Sequence, residues 1–267
     1  MDAIDLKNVE VLWNRKVDSG YGRIGIRCAG YAGARPGQFV MLRFPGRVDP
    51  LLRRPFSIFR LIEQDRHIAG VELLYKIVGR GTRLLSMVRA GDAVDLLGPL
   101  GNGFCVAPDT RRIFMVGGGI GAAPLVFLAG SFKKGSVSAA HAQVFIGGKT
   151  RGDLPAMDVF SAMGLAVNAA TEDGSFGSQG LVTELLERAI EENPPDLICA
   201  CGPMGMLQVV ARLAKKYKIP CQVSIETLMA CGMGACLGCA VARSDADDSY
   251  FHVCTDGPVF DALSLRL

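Results

Sequence analysis

The 267-residue sequence has little histidine, little net charge and no leader-like segment at its start. Its three histidines, His67, His141 and His252, belong to no catalytic motif, and we interpret them as surface or core residues. The 29 basic and 26 acidic residues leave a formal charge of +3, which gives no reason to expect nucleic acid as a partner. The first residues contain neither a basic nor an apolar leader region, so we expect a cytoplasmic protein.

Disulfide bonds and membrane spans are also not expected. The nine cysteines are an odd number, which argues against a disulfide framework and for a reducing compartment. Residues 113–132 form an uncharged run of membrane-span length. Five glycines and Pro124 interrupt this run, so a strand, a turn and a helix explain it better than a transmembrane segment.

The most informative motif is a group of four cysteines near the C-terminus. They are spaced C-x4-C-x2-C with a fourth cysteine fifteen residues later, as in plant-type [2Fe-2S] sites, and they are Cys231, Cys236, Cys239 and Cys254. Three glycines between the thiols permit positive φ angles and close backbone approach. A structural zinc site is the alternative, although zinc ribbons usually combine two C-x2-C pairs. The spacing therefore favours a [2Fe-2S] cluster in a small subdomain formed by residues 224–267.

The N-terminal region, residues 1–106, has the pattern of a small antiparallel β-barrel. Short strands separated by turns are predicted at residues 9–13, 22–27, 38–44, 70–78 and 91–97. A short helix is predicted at residues 84–88, and residues 98–103 are predicted to form an irregular loop. Regularly spaced short strands of this kind are typical of a barrel.

Residues 107–223 change to alternating strands and helices, which predicts a doubly wound parallel sheet. Strands are expected at residues 112–116, 142–146, 165–168 and 196–200, and helices at residues 125–129, 180–190 and 205–215. A glycine-rich turn at residues 117–121 lies between the first strand and its helix. Such a turn lets a pyrophosphate sit against the amides of a helix N-terminus, so this domain is predicted to bind a nicotinamide dinucleotide.

Two segments in the barrel resemble the FAD-binding segments of the ferredoxin-NADP reductase superfamily. The sequence Leu52-Arg-Arg-Pro-Phe-Ser-Ile58 resembles its Arg-x-aromatic-Ser signature, with Pro55 inside the motif. The resemblance implies that Arg54 neutralises the diphosphate, that Phe56 flanks the flavin or its ribityl chain, and that Ser57 hydrogen-bonds near flavin N5. The paired donors of a guanidinium suit a phosphate.

The second of these segments, residues 74–82, also implies contacts with FAD. The residues concerned are Leu74, Tyr75, Lys76, Gly81 and Thr82. A helix that begins after Thr82 would present free N–H groups to the phosphates. The alternative is an ordinary turn in which Thr82 caps the helix.

Two motifs in the α/β region resemble the nicotinamide site of the same superfamily. Gly119, Gly121 and Pro124 match its Gly-x-Gly-x-x-Pro form. Its Cys-Gly-Pro motif is matched by Cys201, Gly202 and Pro203, which implies that they border the hydride-transfer site. The resemblance as a whole implies that Cys201 and, in the flavin motif, Ser57 are catalytic. Alternatively, Cys201 is a small buried apolar residue.

The choice between NAD and NADP stays open at this stage. A basic group near the end of the second strand would suit the 2′-phosphate of NADP. Lys149 and Arg151 lie close to that position, although both can equally be solvated surface residues.

The C-terminal residues 226–239 and 253–260 resemble the electron-transfer subunits of class 1B dihydroorotate dehydrogenases, and the resemblance extends over nearly the whole chain. It implies FAD, a [2Fe-2S] cluster and NAD(H) as a substrate. It also implies a heterotetramer in which two copies join two FMN-containing catalytic subunits. Electrons from dihydroorotate would pass through FMN, the cluster and FAD to NAD+ in pyrimidine biosynthesis. A flavin suits this position because it converts two-electron hydride chemistry into single-electron steps.

Two other interpretations remain. One is a related flavin and iron-sulfur subunit of another complex, such as a ferredoxin:NADP oxidoreductase, a sulfide dehydrogenase or a hydrogenase diaphorase component. The other is a non-catalytic iron-sulfur sensor or scaffold on a degenerate reductase fold. The apolar residues around the cysteines (Leu228, Met229, Met233 and Leu237) are either core or a docking patch.

Overall fold

The computed structural model describes residues 4–18, 20–133, 141–245 and 247–267. The N-terminal strands are β1 (Ile4–Asp18), β2 (Tyr21–Arg27), β3 (Phe39–Arg43), β4 (Arg54–Gln64), β5 (His67–Lys76) and β6 (Ala93–Leu100), and helix α1 (Arg80–Met87) precedes β6. The strands close an antiparallel barrel in the order β1-β2-β5-β4-β3-β6. Its interior is filled by fully buried side chains such as Val11, Ile24 and Leu73.

The barrel differs from the sequence prediction in three places. Strand β4, which carries the Arg-Pro-Phe-Ser motif, was not predicted as a strand. Helix α1 begins at Arg80, so the expectation of a helix starting after Thr82 was wrong. The hydroxyl of Thr82 accepts hydrogen bonds from the N–H groups of Val78 and Gly79. Thr82 therefore lies within the first turn of the helix and not before it. Strand β6 continues to Leu100, into residues predicted to form an irregular loop.

The second part of the chain forms a seven-stranded sheet flanked by helices. Its strands are β7 (Arg112–Gly118), β8 (His141–Gly148), β9 (Ala166–Thr171), β10 (Ser178–Gln179), β11 (Leu197–Cys201) and β12 (Cys221–Ser224), joined by β15 (Val259–Asp261) from the C-terminal segment. The order is β10-β9-β8-β7-β11-β12-β15. All neighbouring pairs are parallel except β12 and β15. The predicted doubly wound domain is confirmed.

Helices cover both faces of this sheet. They are α2 (Ala122–Lys133), α3 (Met157–Ala162), α4 (Val182–Glu192) and α5 (Met204–Tyr217). Successive side chains of a strand point to opposite faces. In β7, Ile113 and Met115 therefore pack with α2 and α3, whereas Phe114 and Val116 pack with α4 and α5. Burial on both faces explains why the central strands are apolar without alternation.

The uncharged run at residues 113–132 is accounted for by β7, the glycine-rich turn and α2. Helix α2 lies between the sheet and the barrel, where it packs against Phe59 of β4. This double burial explains the absence of charge. Within the described ranges, no helix is long and apolar enough to cross a membrane.

The C-terminal segment begins and ends on the sheet. It leaves β12 at Ser224, forms the small antiparallel pair β13 (Ala240–Ala242) and β14 (Tyr250–His252), and returns as β15. Strand β15 places Val259 opposite Ser224. The loop with the four cysteines is therefore held at both ends by the nucleotide-binding sheet.

Candidate functional site

A cavity of about 550 Å³ lies where the barrel meets the carboxyl ends of the parallel strands. Its lining includes Gly118 and Gly119 from the turn after β7, Gly147 at the end of β8, and Pro203 before α5. The glycines permit close approach. A Cβ atom on Gly118 would lie 2.6 Å from Pro203 Cδ, and Gly119 has a φ of +54°. The predicted glycine-rich turn and the Cys-Gly-Pro motif therefore meet at one cavity, which fits a dinucleotide.

Cys201 ends β11 beside this cavity, with Ser224 as its neighbour on β12. Burial raises the pKa of the Cys201 thiol to about 12, although a hydrogen bond with Ser224 acts in the opposite direction. The side chain is therefore a neutral thiol at physiological pH. It can pack against a bound ring or share a hydrogen bond, but it does not supply a thiolate.

Charged side chains from both parts of the protein line the cavity. Lys76, at the end of β5, places its Nζ 2.8 Å from Oδ1 of Asp153, and the hydroxyl of Tyr21 donates to the same oxygen at 3.1 Å. The hydrogen bond from Lys76 lowers the pKa of Asp153 below its usual value, and Asp153 in turn raises the pKa of Lys76. The pair therefore stays ionised over a wide pH range and links the barrel to the sheet.

Lys149 and Glu172 line the same cavity at the ends of β8 and β9, whereas Arg151 does not. A basic and an acidic residue thus both reach the region that binds the adenosine ribose in such folds.

The two predicted flavin segments lie next to each other on the barrel. Arg54, at the start of β4, packs against the first turn of α1. A Cβ atom added to Gly81 in that turn would lie 3.4 Å from Arg54 Nε. The Arg54 guanidinium donates to the carbonyl of Leu52 at 2.6 Å. Phe56 and Ser57 follow on β4 and are half-buried. A partly exposed arginine beside a helix N-terminus fits the diphosphate of FAD.

The side chains of the second segment point to different places. Leu74 is buried in the contact between barrel and sheet, and Tyr75 is buried with its hydroxyl donating to Asn14 Oδ1 at 2.9 Å. Lys76 lies at the dinucleotide cavity, and the hydroxyl of Thr82 is engaged with backbone N–H groups. Gly81, in the turn that follows, lies next to Arg54.

Contacts link the four cysteines in two pairs. Cys239 and Cys254 bring their Sγ atoms to 3.3 Å, and Cys236 donates its backbone N–H to Cys231 Sγ at 3.4 Å. Further N–H groups point at the sulfurs, from Gly234 to Cys254 at 3.2 Å and from Met233 to Cys231 at 3.4 Å. Burial acts to raise the pKa of Cys231, but hydrogen bonds from the N–H groups of Met233, Cys236 and Ala235 and from the Cys236 side chain lower that pKa to about 7.

The spacing and the chemistry of this donor set fit a two-iron cluster. A [2Fe-2S] cluster distributes four cysteine thiolates over two irons. Gly232 and Gly234 have φ angles of +74° and +82°, as the tight loop around the thiols requires.

The residues around the cysteines divide between surface and core. Leu228 is 92% exposed, Leu237 59% and Met233 55%, whereas Met229 packs against the hydrophobic core. Three of the four apolar residues are therefore available to a partner.

Some residues at these sites carried no sequence signal. Asp153 and Glu172 line the dinucleotide cavity, Tyr21 hydrogen-bonds Asp153, and Asn102 contacts the cysteine loop, but none of them stands in a motif. The five other cysteines lie outside the four-cysteine group, with Cys28, Cys199 and Cys221 buried and Cys105 exposed.

Comparison with known proteins agrees with this arrangement. A family model of the iron–sulfur cluster binding domain of dihydroorotate dehydrogenase B matches residues 226–266, and one of an oxidoreductase NAD-binding domain matches residues 115–212. The electron transfer subunit of dihydroorotate dehydrogenase B (NAD(+)) from Caldanaerobacter subterraneus is 39% identical over 251 residues, 94% of each chain. The subunit of the same name from Listeria monocytogenes is 40% identical over 88% of this chain and 89% of the relative.

Solved structures share the fold. An NADH-dependent reduced ferredoxin-NADP oxidoreductase superposes with a TM-score of 0.83 at 26% identity, covering 97% of this chain and 89% of that chain. A ferredoxin NADP+ reductase from Neisseria gonorrhoeae with bound FAD and NADP gives a TM-score of 0.65 at 16% identity, over 81% of this chain and 92% of that one. With relatives near 40% identity over about nine-tenths of its length, the chain belongs to the family of dihydroorotate dehydrogenase B electron transfer subunits.

Proposed function

We propose that this chain relays electrons from the FMN of a dihydroorotate dehydrogenase catalytic subunit through a [2Fe-2S] cluster and FAD to NAD+. It is an oxidoreductase subunit whose cofactors are FAD and the cluster, and NAD(H) is its substrate. The observation that carries the proposal is the meeting of three sites on one chain: the cysteine loop, the flavin segments of the barrel and the dinucleotide cavity. A flavin exchanges a hydride with a nicotinamide and single electrons with an iron–sulfur cluster.

For the cluster, we assign Cys231, Cys236, Cys239 and Cys254 as the iron ligands. Support comes from their spacing, from the contacts that link them in two pairs and from the backbone N–H groups directed at their sulfurs. Hydrogen bonds to sulfur are among the features that set the potential of such a cluster.

For FAD, the proposed residues are Arg54, Pro55, Phe56 and Ser57 on β4, with the backbone of residues 74–76 and the turn at Gly81 and Thr82. Arg54 would bind the diphosphate beside the first turn of α1. Ser57 would hydrogen-bond near the flavin ring, as its half-buried place in the same motif on β4 allows.

For NAD(H), Gly119, Gly121, Pro124, Gly202 and Pro203 would shape the site, and Cys201 would border the nicotinamide. The neutral Cys201 thiol lets a ring approach without placing an anion beside it. A basic residue such as Lys149 would favour the 2′-phosphate of NADP, whereas an acidic residue such as Glu172 would favour the ribose hydroxyl of NAD. The relatives are named as NAD(+) enzymes, so we propose NAD(H).

We propose three structural units: the FAD-binding barrel at residues 1–106, the NAD-binding domain at residues 107–223 and the cluster subdomain at residues 224–267. The return of β15 to the sheet makes the third unit dependent on the second. We also propose that the protein works in the cytoplasm.

The catalytic partner would cover the exposed apolar residues of the cysteine loop, within a heterotetramer of two copies of each subunit. Leu228 and Leu237 are large, apolar and strongly exposed beside the cluster ligands. Replacing Leu237 by Asp should weaken assembly with the catalytic subunit in gel filtration. Leu181→Asp, at an exposed leucine that lines the dinucleotide cavity, should leave assembly intact. Equal assembly by parent and Leu237→Asp would place the interface elsewhere.

Cofactor content tests the proposal most simply. The anaerobically purified chain should contain two irons and two sulfides per FAD, with an EPR signal after reduction. Stoichiometric zinc would contradict the cluster assignment, and an absence of FAD would contradict the flavin site. A sensor or scaffold without catalytic function would fail to reduce dyes with NADH.

A further inference from the structure

The cysteine loop is seated directly on the flavin barrel. Gly232, one residue after the first cysteine, packs on β3, where an added Cβ atom would lie 2.5 Å from Met41 Cγ and 3.4 Å from Leu100 Cδ1. On the other side of the loop, a Cβ atom on Gly101 would lie 2.6 Å from Pro258 Cδ. An added Cβ atom on Gly101 would also lie 2.6 Å from the carbonyl oxygen of Gly257, so the two backbones approach more closely here than a side chain would permit.

Asn102 makes the polar contacts across this junction. Its side-chain Nδ2 donates to the carbonyl of Thr255 at 3.1 Å and to that of Asp256 at 3.0 Å. Its backbone N–H donates to the carbonyl of Gly257, and the residue forms an isolated bridge with Pro258. Asn102 thus binds several consecutive residues that directly follow the last cysteine, Cys254.

The junction also lies close to the flavin motif. Met41, on which Gly232 rests, is the register partner of Pro55, and Val40 is the partner of Phe56. Neighbouring strands are about 4.8 Å apart. One strand spacing therefore separates the surface under the cysteine loop from the strand that carries the flavin motif.

We propose that Asn102 is a positioning residue that fixes the Cys254 side of the cluster at a set distance from the flavin. This inference rests on the proposed function. In the step concerned, one electron leaves the reduced flavin and one is gained by the cluster, or the reverse, with no bond made or broken. Because electron tunnelling weakens exponentially with distance, a small displacement of the loop slows transfer strongly.

The test is the Asn102→Asp variant, which keeps the shape of the side chain but removes both N–H donors and sets an anion against two carbonyls. Anaerobic stopped-flow mixing with NADH separates flavin bleaching from the later appearance of the cluster EPR signal. We expect unchanged flavin reduction and a severalfold slower electron transfer to the cluster. Hydrogen exchange of the backbone amides in residues 252–258 should become faster.

Asn193→Asp, at the exposed end of α4, introduces the same charge away from the junction and should match the parent. If Asn102→Asp does not retain iron, Asn102→Ala supplies the same measurement without the added charge. An iron-loaded variant that transfers electrons to the cluster as fast as the parent overturns the inference. Loss of iron from both variants also overturns it, because Asn102 would then stabilise the cluster site itself. A parent protein that passes no electrons from NADH to its cluster overturns the proposed function instead.

Discussion

At the scale of single residues, Arg54 is the most informative side chain of the flavin site. It lies against Gly81 in the first turn of α1, where a diphosphate would receive both the guanidinium and free helix N–H groups. Replacing Arg54 by Ala should weaken FAD binding by about 1.5–3 kcal/mol, as expected for a hydrogen bond to a charged group. Fluorescence titration of the flavin-free protein with FAD measures this loss.

Arg188→Ala is a suitable control, because Arg188 is an exposed arginine on α4. It should bind FAD as tightly as the parent. If Arg54→Ala also does so, the diphosphate is bound by other residues.

Single residues also show which contacts can be predicted from the sequence and which cannot. The cysteine spacing and the glycine-rich turn were recognisable because each motif lies within a short stretch of chain. The contacts of Lys76 with Asp153 and of Asn102 with Thr255 join residues 77 and 153 positions apart. Neither pair could be predicted, since nothing local to either partner indicates the other.

At the scale of elements, the cysteine loop depends on glycine at the point where it rests on β3. Gly232 combines a φ of +74° with a backbone that leaves no room for a Cβ atom above Met41. Gly232→Ala should therefore destabilise the loop by at least about 1–2 kcal/mol, the cost of left-handed backbone for an L-residue, before any clash is counted. Iron content and thermal unfolding of the purified variant report this change.

Gly130→Ala provides the comparison, because Gly130 lies in α2 and an added Cβ atom there would meet only Met163 Cε at 3.9 Å. That variant should keep its iron and be as stable as the parent or more so. A Gly232→Ala protein with full iron content and unchanged stability would contradict the described seating of the loop.

Elements also differed in how well they could be predicted. The α/β region was recognisable from its apolar strands and helical periodicity. Strand β4 was missed because it begins Arg-Pro-Phe-Ser, without the alternation that marks a half-buried strand. Strand β15 was missed because three residues carry too little pattern, and its place in the sheet is set by pairing with Gln222, Val223 and Ser224.

At the scale of the whole molecule, the three proposed sites follow one another in space as a relay would require. The cysteine loop rests on the barrel, the barrel carries the flavin motif, and the dinucleotide cavity lies between barrel and sheet. The sequence order of these units was predictable, whereas the seating of the loop on the barrel was not. In the proposed relay, the chemistry on dihydroorotate belongs to the catalytic partner subunit.

The most direct test is dihydroorotate:NAD+ turnover by the isolated chain and by the chain mixed with its FMN-containing catalytic subunit. The isolated chain should oxidise NADH with artificial acceptors but show no turnover with dihydroorotate, and the partner should restore it. A Cys236→Ser variant should lose the coupled reaction while retaining most NADH-to-dye transfer. Full dihydroorotate-to-NAD+ turnover by the isolated chain would contradict the relay.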